Sequence, residues 1–566
     1  MIVAEALAEY PVRDLNTGLG YSTIQEAIND AADGDTVLVN AGTYYEHVVV
    51  NKTVSLVGED VKTTIIDGNG TGHVVNVVND NVSITGFTIR NSGHTHMPDL
   101  EAGICLNGTT GCTISDNRLV DNGFCGISLL YSQYNKIICN SVNHTEWGGI
   151  HLLGSSQNVV SGNVVDNTTH EYGVGINGHA SSNYNNITEN IISNSRYGSF
   201  YHASSHNNIC GNNISNIAVE GIWLQDQVNY NLVAKNNLIN NTVAIRLQGP
   251  NRNNTLSGNF ITGSEYGMKL ENTQYVSISD NTIVNNRAGS DSWSAGIRLD
   301  SGRDTQITSN IISGNHYGIL LYSSSPRVSV HGNSITDNEF GVRVASGGSS
   351  NLNMTRNLVA DNIGYGIGLT GFGSSSNYAT ISQNTIINNS DGITLGQYSN
   401  YNSILQNNIN RNKCGFYIEF STQNTIYSNN IVDNDVQVNI TSASTNVWDS
   451  GYPSGGNYWS DCSGTDLCCG AYQNETGSDG IADEPYIIDT DNKDNYPLMN
   501  PRTPQTLSAD INDDDKVNIL DITIVAKAFG SKQGEPAYNE AADLDKNGQV
   551  NILDISMVAK DFGKTA

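Results

Sequence analysis

The chain runs to 566 residues and carries 27 basic against 56 acidic side chains, a formal net charge of −29. That length exceeds one ordinary globular domain, and that charge excludes binding of nucleic acid or anionic lipid through bulk electrostatics. Charged residues are only 15% of the total; Asn, Ser, Gly and Tyr supply the polar character, as in extracellular β proteins, and no stretch approaches the roughly 20 apolar residues of a membrane span.

Residues 1–9 read either as a signal-peptide remnant, with Ala6-Leu7-Ala8 as an A-x-A-like cleavage site, or as a plain tail. Sequons recur at Asn51, Asn107, Asn143, Asn167, Asn213, Asn353, Asn388 and Asn474, which permits glycosylation outside the cell. Of nine cysteines, Cys462, Cys468 and Cys469 cluster. A bridge from Cys462 to either neighbour and free thiols are both open.

An amphipathic helix is predicted at Ile24 to Ala32, followed by the strand-like GDTVLVNAGTYYEHV. From residue 103 to 418 a Gly-apolar-x-apolar motif recurs, as GICL at Gly103, GISL at Gly126, GIHL at Gly149, GIWL at Gly221 and GIRL at Gly296. Weaker copies sit at Gly175, Gly198, Ala244 and Gly366, and successive starts fall 22 to 29 residues apart. An Asn-rich motif is interleaved at a similar period, for example Asn163-Val164-Val165 and Asn310-Ile311-Ile312.

Each repeat therefore supplies two or three short strands with alternating inward apolar residues. One repeat cannot bury its own apolar face, so repeats must stack at about 4.8 Å per rung. The fold class is all-β: a right-handed parallel β-helix of about 23 residues per rung with an N-terminal capping helix. A leucine-rich-repeat horseshoe has a similar period but needs a Leu-rich consensus, whereas Ile, Val, Asn and Gly dominate here. Asn at a fixed turn position is expected to stack into a hydrogen-bonded ladder.

The β-helix is assigned to 10–447, its closing segment to 448–500 and a Pro-bearing linker to 501–508. Two twelve-residue loops follow, DINDDDKVNILD from Asp510 and DLDKNGQVNILD from Asp543, starting 33 residues apart. Oxygen side chains fall at loop positions 1, 3, 5, 9 and 12: Asp510, Asn512, Asp514, Asn518 and Asp521, then Asp543, Asp545, Asn547, Asn551 and Asp554. With the carbonyls of Lys516 and Gln549 at position 7, this spacing wraps hard oxygens around one Ca²⁺ per loop. Gly548 supplies the sharp turn of the second loop; Asp515 stands there in the first. Each loop runs into one short amphipathic helix, Ile522–Phe529 or Ile555–Phe562, without the entering helix of an EF-hand.

Residues 21–59 resemble the opening of many right-handed β-helix proteins. The stretch 10–500 is similar to the NosD-type periplasmic copper-binding and carbohydrate-binding β-helix families. GYPSGGNYWSD (451–461) and DGIADEPYIIDTDNKDNYPLM (479–499) match their closing segment. Residues 509–566 resemble a type I dockerin, a small α-helical calcium-binding domain, and that resemblance implies a cohesin partner. In the family, loop positions 10 and 11 set cohesin choice; here they are Ile519, Leu520, Ile552 and Leu553. The two halves share VNILDI and VAK-x-FG, so either can face the partner.

Within Gly-apolar-x-apolar the x side chain points outward. Arg246, Lys269 and Arg298 are successive in that column beside Trp223, a basic stripe suited to an acidic polysaccharide. Glu146, Glu171, Glu220 and Asp226 flank the motif and are the carboxylates considered for glycoside hydrolysis. The GHG and RIK signatures of polygalacturonase-like β-helices are missing. His144, His151, His170, His179, His202 and His206 gather within one region, and three or four converging ligands would be needed for copper or zinc. The segment Asp479–Asp494 is a further Ca²⁺ candidate. The reading is an extracellular protein, secreted or attached at the cell surface, that binds glycan or forms surface structure and is tethered through its dockerin. The alternative is a polysaccharide hydrolase or lyase of a cellulosome-like complex; copper delivery is a third.

Overall fold

The computed structural model describes residues 10–95, 100–168, 170–289, 291–346, 349–372, 377–502, 509–512 and 516–564. The chain divides into two compact units, residues 1–500 and 501–566.

In the first unit each turn of chain from Thr36 onward gives one strand to each of three sheets with parallel pairing, while Val12–Asp14 joins the first sheet antiparallel. One rung illustrates the rest: Thr113–Ser115 in the first sheet, Arg118–Val120 in the second, Cys125–Leu130 in the third. The first sheet is 19-stranded and the third runs through 17 strands. Register is kept from rung to rung, so like residues stack: Ile104, Ile127, Ile150 and Ile176 form one column of the third sheet. All four are fully buried. The unit is the right-handed parallel β-helix that the repeat predicts, with three strands per rung.

The motif glycine has a steric cause. A Cβ at Gly267 would lie 2.4 Å from the carbonyl oxygen of Gly296 and 2.6 Å from Ile283, distances that real contacts do not reach.

Helix α1 (Ile24–Asp30) caps the first rung and buries Ile24, Ala27 and Ile28. Thr23 caps it by accepting from the Glu26 amide, and Glu46 accepts from the amides of Ile24 and Gln25. It ends two residues before the predicted Ala32.

Turns between the first and second sheets are held by a buried Asn ladder. The amide of Asn236 donates to Asn259 Oδ1 at 3.0 Å, that of Asn259 to Asn281 at 2.9 Å, and that of Asn281 to Asn310 at 2.9 Å. Each Nδ2 also donates to a main-chain carbonyl of the rung before, as Asn259 does to Val233 at 2.9 Å. A second ladder links Asn286, Asn315, Asn338 and Asn362 at the next corner.

At the far end Trp448 and Trp459 cover the last rung and are buried. Trp459 Nε1 donates to Asp494 Oδ2 at 2.9 Å, and the amides of Asn457 and Tyr496 donate to the same carboxylate at 2.7 and 3.0 Å. Burial pushes the Asp494 carboxyl up to about 6 against these hydrogen bonds. All nine cysteines are free thiols.

The second unit holds α2 (Ile519–Ala528), a 3₁₀ turn at Glu540–Ala542 and α3 (Ile552–Asp561). Val517, Val525, Val550 and Val558 form its core with three alanines. Both helices start three residues earlier than predicted. The cause is a capping box at each: Asn518 with Asp521, and Asn551 with Asp554, satisfy the first-turn amides reciprocally.

Candidate functional site

The acidic loops are built by the capping boxes. Asp521 and Asp554, the twelfth loop residues, are fully buried. Asp554 Oδ1 accepts from the amides of Leu544 and Asp545 at 2.8 and 3.3 Å, and Oδ2 from that of Asn551 at 2.8 Å. Asp521 repeats the pattern with Ile511, Asn512 and Asn518. The last residue of each loop thus folds the loop back over its helix. Asp543 accepts from the amides of Asn547 and Gly548, and Gly548 adopts the left-handed conformation at φ +83° that a sharp turn needs.

One ligand atom from each of Asp543, Asp545 and Asp554 lies within 4.8 Å of the others. Among the described residues this is the one group of three such side chains close enough for a metal. Three carboxylates at that range repel unless a cation lies between them, and the hard-oxygen set fits Ca²⁺. Asn518 and Asn551 cap their helices, accepting from Leu520 and Leu553 at 2.8 Å. Their amide nitrogens donate to the carbonyls of Lys516 and Gln549. Asp510, Asn512 and Asn547 sit within the same loops, and Asp514 lies outside the described residues. Between 479 and 494, Asp483 and Asp489 accept from nearby amides, and Asp494 from Trp459.

Ile519, Leu520, Ile552 and Leu553 are 54–62% exposed. They stand outside the valine core, one pair at the head of each helix.

On the solenoid, register fixes the outward column of the third sheet. It runs Ser128, His151, Asn177, Phe200, Trp223, Arg246, Lys269, Arg298, Leu320 and Arg343. Ser128 and Cys105, one rung before it, are buried; Cys105 packs with Leu100, Phe124 and Leu130. Arg246, Lys269 and Arg298 are successive, but their charges are met on the same face. Arg246 bridges Glu220 at 2.7 Å and Glu271 at 2.9 Å, Lys269 reaches Glu271 at 3.2 Å, and Arg298 pairs with Asp300 at 3.1 Å. Burial raises the Glu220 pKa while Arg246 opposes the shift.

The other carboxylates are placed differently. Glu146 meets His94 at 2.7 Å, Asp226 lies 4.0 Å from His202, and Glu171 is exposed. The histidines divide among separate stacks. His170 lies on Trp147 with centroids 4.0 Å apart; His206 lies between Tyr184 and Tyr230 at 4.7 and 5.0 Å; His179 sits 6.1 Å from His202.

N-terminal to the ion pairs, the same face opens into a groove of about 720 Å³. Phe124, Trp147 and Tyr172 stack along one side with centroids 6.0 and 5.9 Å apart. Gly148, Val174 and Asn177 leave the middle low, and Tyr197, Phe200 and Trp223 close one end. Phe200 stacks on Trp223 at 4.5 Å. His179 stands edge-on to Phe200, and burial together with His202 lowers its pKa to about 4. Sequence reasoning found Trp223 and the histidines but missed the depression, which small residues create.

A solenoid with a closed far end and a separate unit of two acidic loop–helix repeats defines a modular β-helix protein with a dockerin. The chain belongs to the family of the periplasmic copper-binding protein NosD, matched over residues 28–195, 143–254, 192–348 and 290–464. Residues 508–563 match the dockerin type I domain. A cell surface glycoprotein of Methanothermus fervidus is 30% identical over 270 residues, which are 45% of this chain and 43% of the glycoprotein; the chain thus spans under half of that relative. Among solved structures, the pre-mature gene product 12 of bacteriophage phi29 is 11% identical, covering 76% of this chain and 70% of its own, with a TM-score of 0.44. XylC in complex with xylose is 12% identical, covering 57% of this chain and 84% of its own, with a TM-score of 0.38. Among the described residues no helix is long and apolar enough to cross a membrane.

Proposed function

We propose that the chain is an extracellular β-helix protein, secreted or held at the cell surface, whose solenoid binds carbohydrate. Its dockerin tethers it to a cohesin-bearing partner through calcium-held loops. The observation that carries the tether is the pair of exposed apolar residues, Ile519 with Leu520 and Ile552 with Leu553, at the head of two near-identical helices. Each pair follows directly on a capping Asn and precedes the buried Asp of its loop, so loop closure and presentation of the pair are one event. The likeness to a cell surface glycoprotein supports the location. Binding is favoured over hydrolysis because Glu220, the buried member of the four carboxylates considered, is ion-paired to Arg246.

The test uses the full chain on immobilised type I cohesins with calcium present. Capture is expected, with release by EGTA. Replacing Ile519 and Leu520 by Asp leaves capture intact, as does the same change at Ile552 and Leu553, while replacing all four abolishes it. Capture indifferent to EGTA, or retained by the fourfold variant, would sink the reading.

A further inference from the structure

We infer that the groove between Trp147 and Trp223 is a binding site for an uncharged saccharide; this rests on the carbohydrate-binding reading and assigns it a place and a ligand class.

The first argument is charge. Among the described residues no Asp, Glu, Lys or Arg lines the groove, and His179 is neutral at neutral pH because its pKa lies near 4. Two guanidiniums flank the groove, each 5.7 Å from a lining ring: Arg246 at Trp223, already committed to Glu220 and Glu271, and the exposed Arg196 at Tyr197, on the solvent side of the closed end. A uronate carboxylate in the middle of the groove, between the Trp147 and Phe200 rings, would lose its hydration without gaining a counter-ion there. The basic stripe therefore does not extend the site toward acidic polymers.

The second argument is the pairing of apolar walls with orphaned polar atoms. Trp223 Nε1 and Asn177 Oδ1 are buried and find no partner among the described residues. Each unmet group costs about 1–3 kcal/mol. A hydrocarbon ligand would leave both unmet. A hydroxylated ring lays its C–H face on an aromatic surface, and once the Trp223 and Asn177 side chains turn to uncover these atoms it offers an acceptor to the indole N–H and a donor to the amide oxygen.

The third argument is the gap itself. Register puts His151, Asn177 and Phe200 in successive rungs, so the two rings stand about 10 Å apart with a small side chain between. Phe200 has one face on Trp223 and meets His179 edge-on at 5.1 Å, while its register neighbour one rung back is Asn177 rather than another ring of the column. The column is aromatic on both sides and interrupted at one rung, which creates the volume. That volume lies within the range of small-molecule sites.

The test is calorimetric titration of the full chain with hexaoses of glucose, xylose and mannose, and with hexagalacturonate. Two groove-filling variants are compared. Asn177→Phe continues the Phe200–Trp223 stack by one ring, and the Cβ of Gly148→Leu lies 4.0 Å from the Val174 carbonyl and 3.0 Å from Cys125 Sγ, which must shift slightly to admit it. The expected result is binding of at least one neutral hexaose and none of hexagalacturonate. Affinity should fall about tenfold or more in both variants, with thermal midpoints unchanged. Affinity retained in both filled variants would overturn the groove assignment and leave glycan binding standing. Preference for hexagalacturonate would overturn the ligand class. Silence across all four oligosaccharides would overturn both the inference and the reading beneath it.

Discussion

Replacing Asn259 by Leu tests whether the buried ladder holds the solenoid. The Asn259 side chain donates to the Val233 carbonyl and to Asn281 Oδ1, each at 2.9 Å, and accepts from the amide and side chain of Asn236, each at 3.0 Å. Not all of this is lost in the variant. Asn236 Nδ2 keeps the Ile209 carbonyl, and Asn281 Oδ1 keeps the Asn259 amide. The Asn236 amide loses its acceptor and the Val233 carbonyl loses this donor, both in a buried turn. At about 1–3 kcal/mol for each such group, the local cost is roughly 3 kcal/mol after the added methyl groups recover part of it. Each rung touches chiefly its neighbours, so the damage stays local. Hydrogen exchange read by mass spectrometry should therefore show protection falling about a hundredfold over residues 230–262. Residues 400–440 should be unchanged. Unaltered exchange near Asn236 would refute the ladder as a structural element; an equal loss along the whole rod would refute its locality.

Two further perturbations follow from buried charge. The Asp494 carboxyl titrates near 6 in the fold against 3.8 for the free residue. The folded state therefore holds the proton more tightly, and the stability this contributes is present below pH 3.8 and lost as pH rises through about 6. Relative to Asp494→Asn, the wild type should lose about 3 kcal/mol between these limits; parallel pH profiles of the two thermal midpoints would contradict this. Arg246→Met removes the bridge between Glu220 and Glu271 and leaves Glu220 buried without its cation, at about 3–5 kcal/mol near neutral pH. That cost should shrink at about pH 5, because an unpaired buried carboxyl takes up a proton more readily. Melting at both pH values checks it, and a loss that grows on acidification would count against the pairing.

The rods, loops and caps were legible because each is written as a residue type at a fixed period. What escaped was whatever depends on a neighbour one rung away. Gly, Asn, Asp and Ser are the residues that take left-handed turn angles most readily. Yet Lys235, Arg356, Gln383 and Cys139 hold positive φ of 53° to 58°. Such residues resist that conformation by about 1–2 kcal/mol, and the adjoining ladder Asn over-determines it. The neutralised stripe was readable in principle: Lys269 and Glu271 lie two apart in one strand, as do Arg298 and Asp300, and period two puts such pairs on one face. Glu220 reaches Arg246 only across a rung, which needs the register. The groove is a run of small side chains among aromatics, and small side chains leave no motif.

The two units differ in what makes them fold. The solenoid core is a continuous column of buried Ile, Val and Leu closed by α1 at one end and two tryptophans at the other. Among the described residues the second unit has four valines and three alanines as its fully buried core, with Ile511, Ile522, Ile524, Tyr538, Leu544 and Ile555 half-buried against it, little for a domain of that size without a further staple. Its carboxylates at Asp543, Asp545 and Asp554 raise the cost of closing the loop when no cation is present. On the proposed reading, calcium therefore governs attachment alone: chelation loosens the segments that present Ile519 and Ile552 while the stacked rungs stay folded. The groove, which draws on no charged side chain, keeps its ligand through that change, so the tether can be released without releasing the glycan.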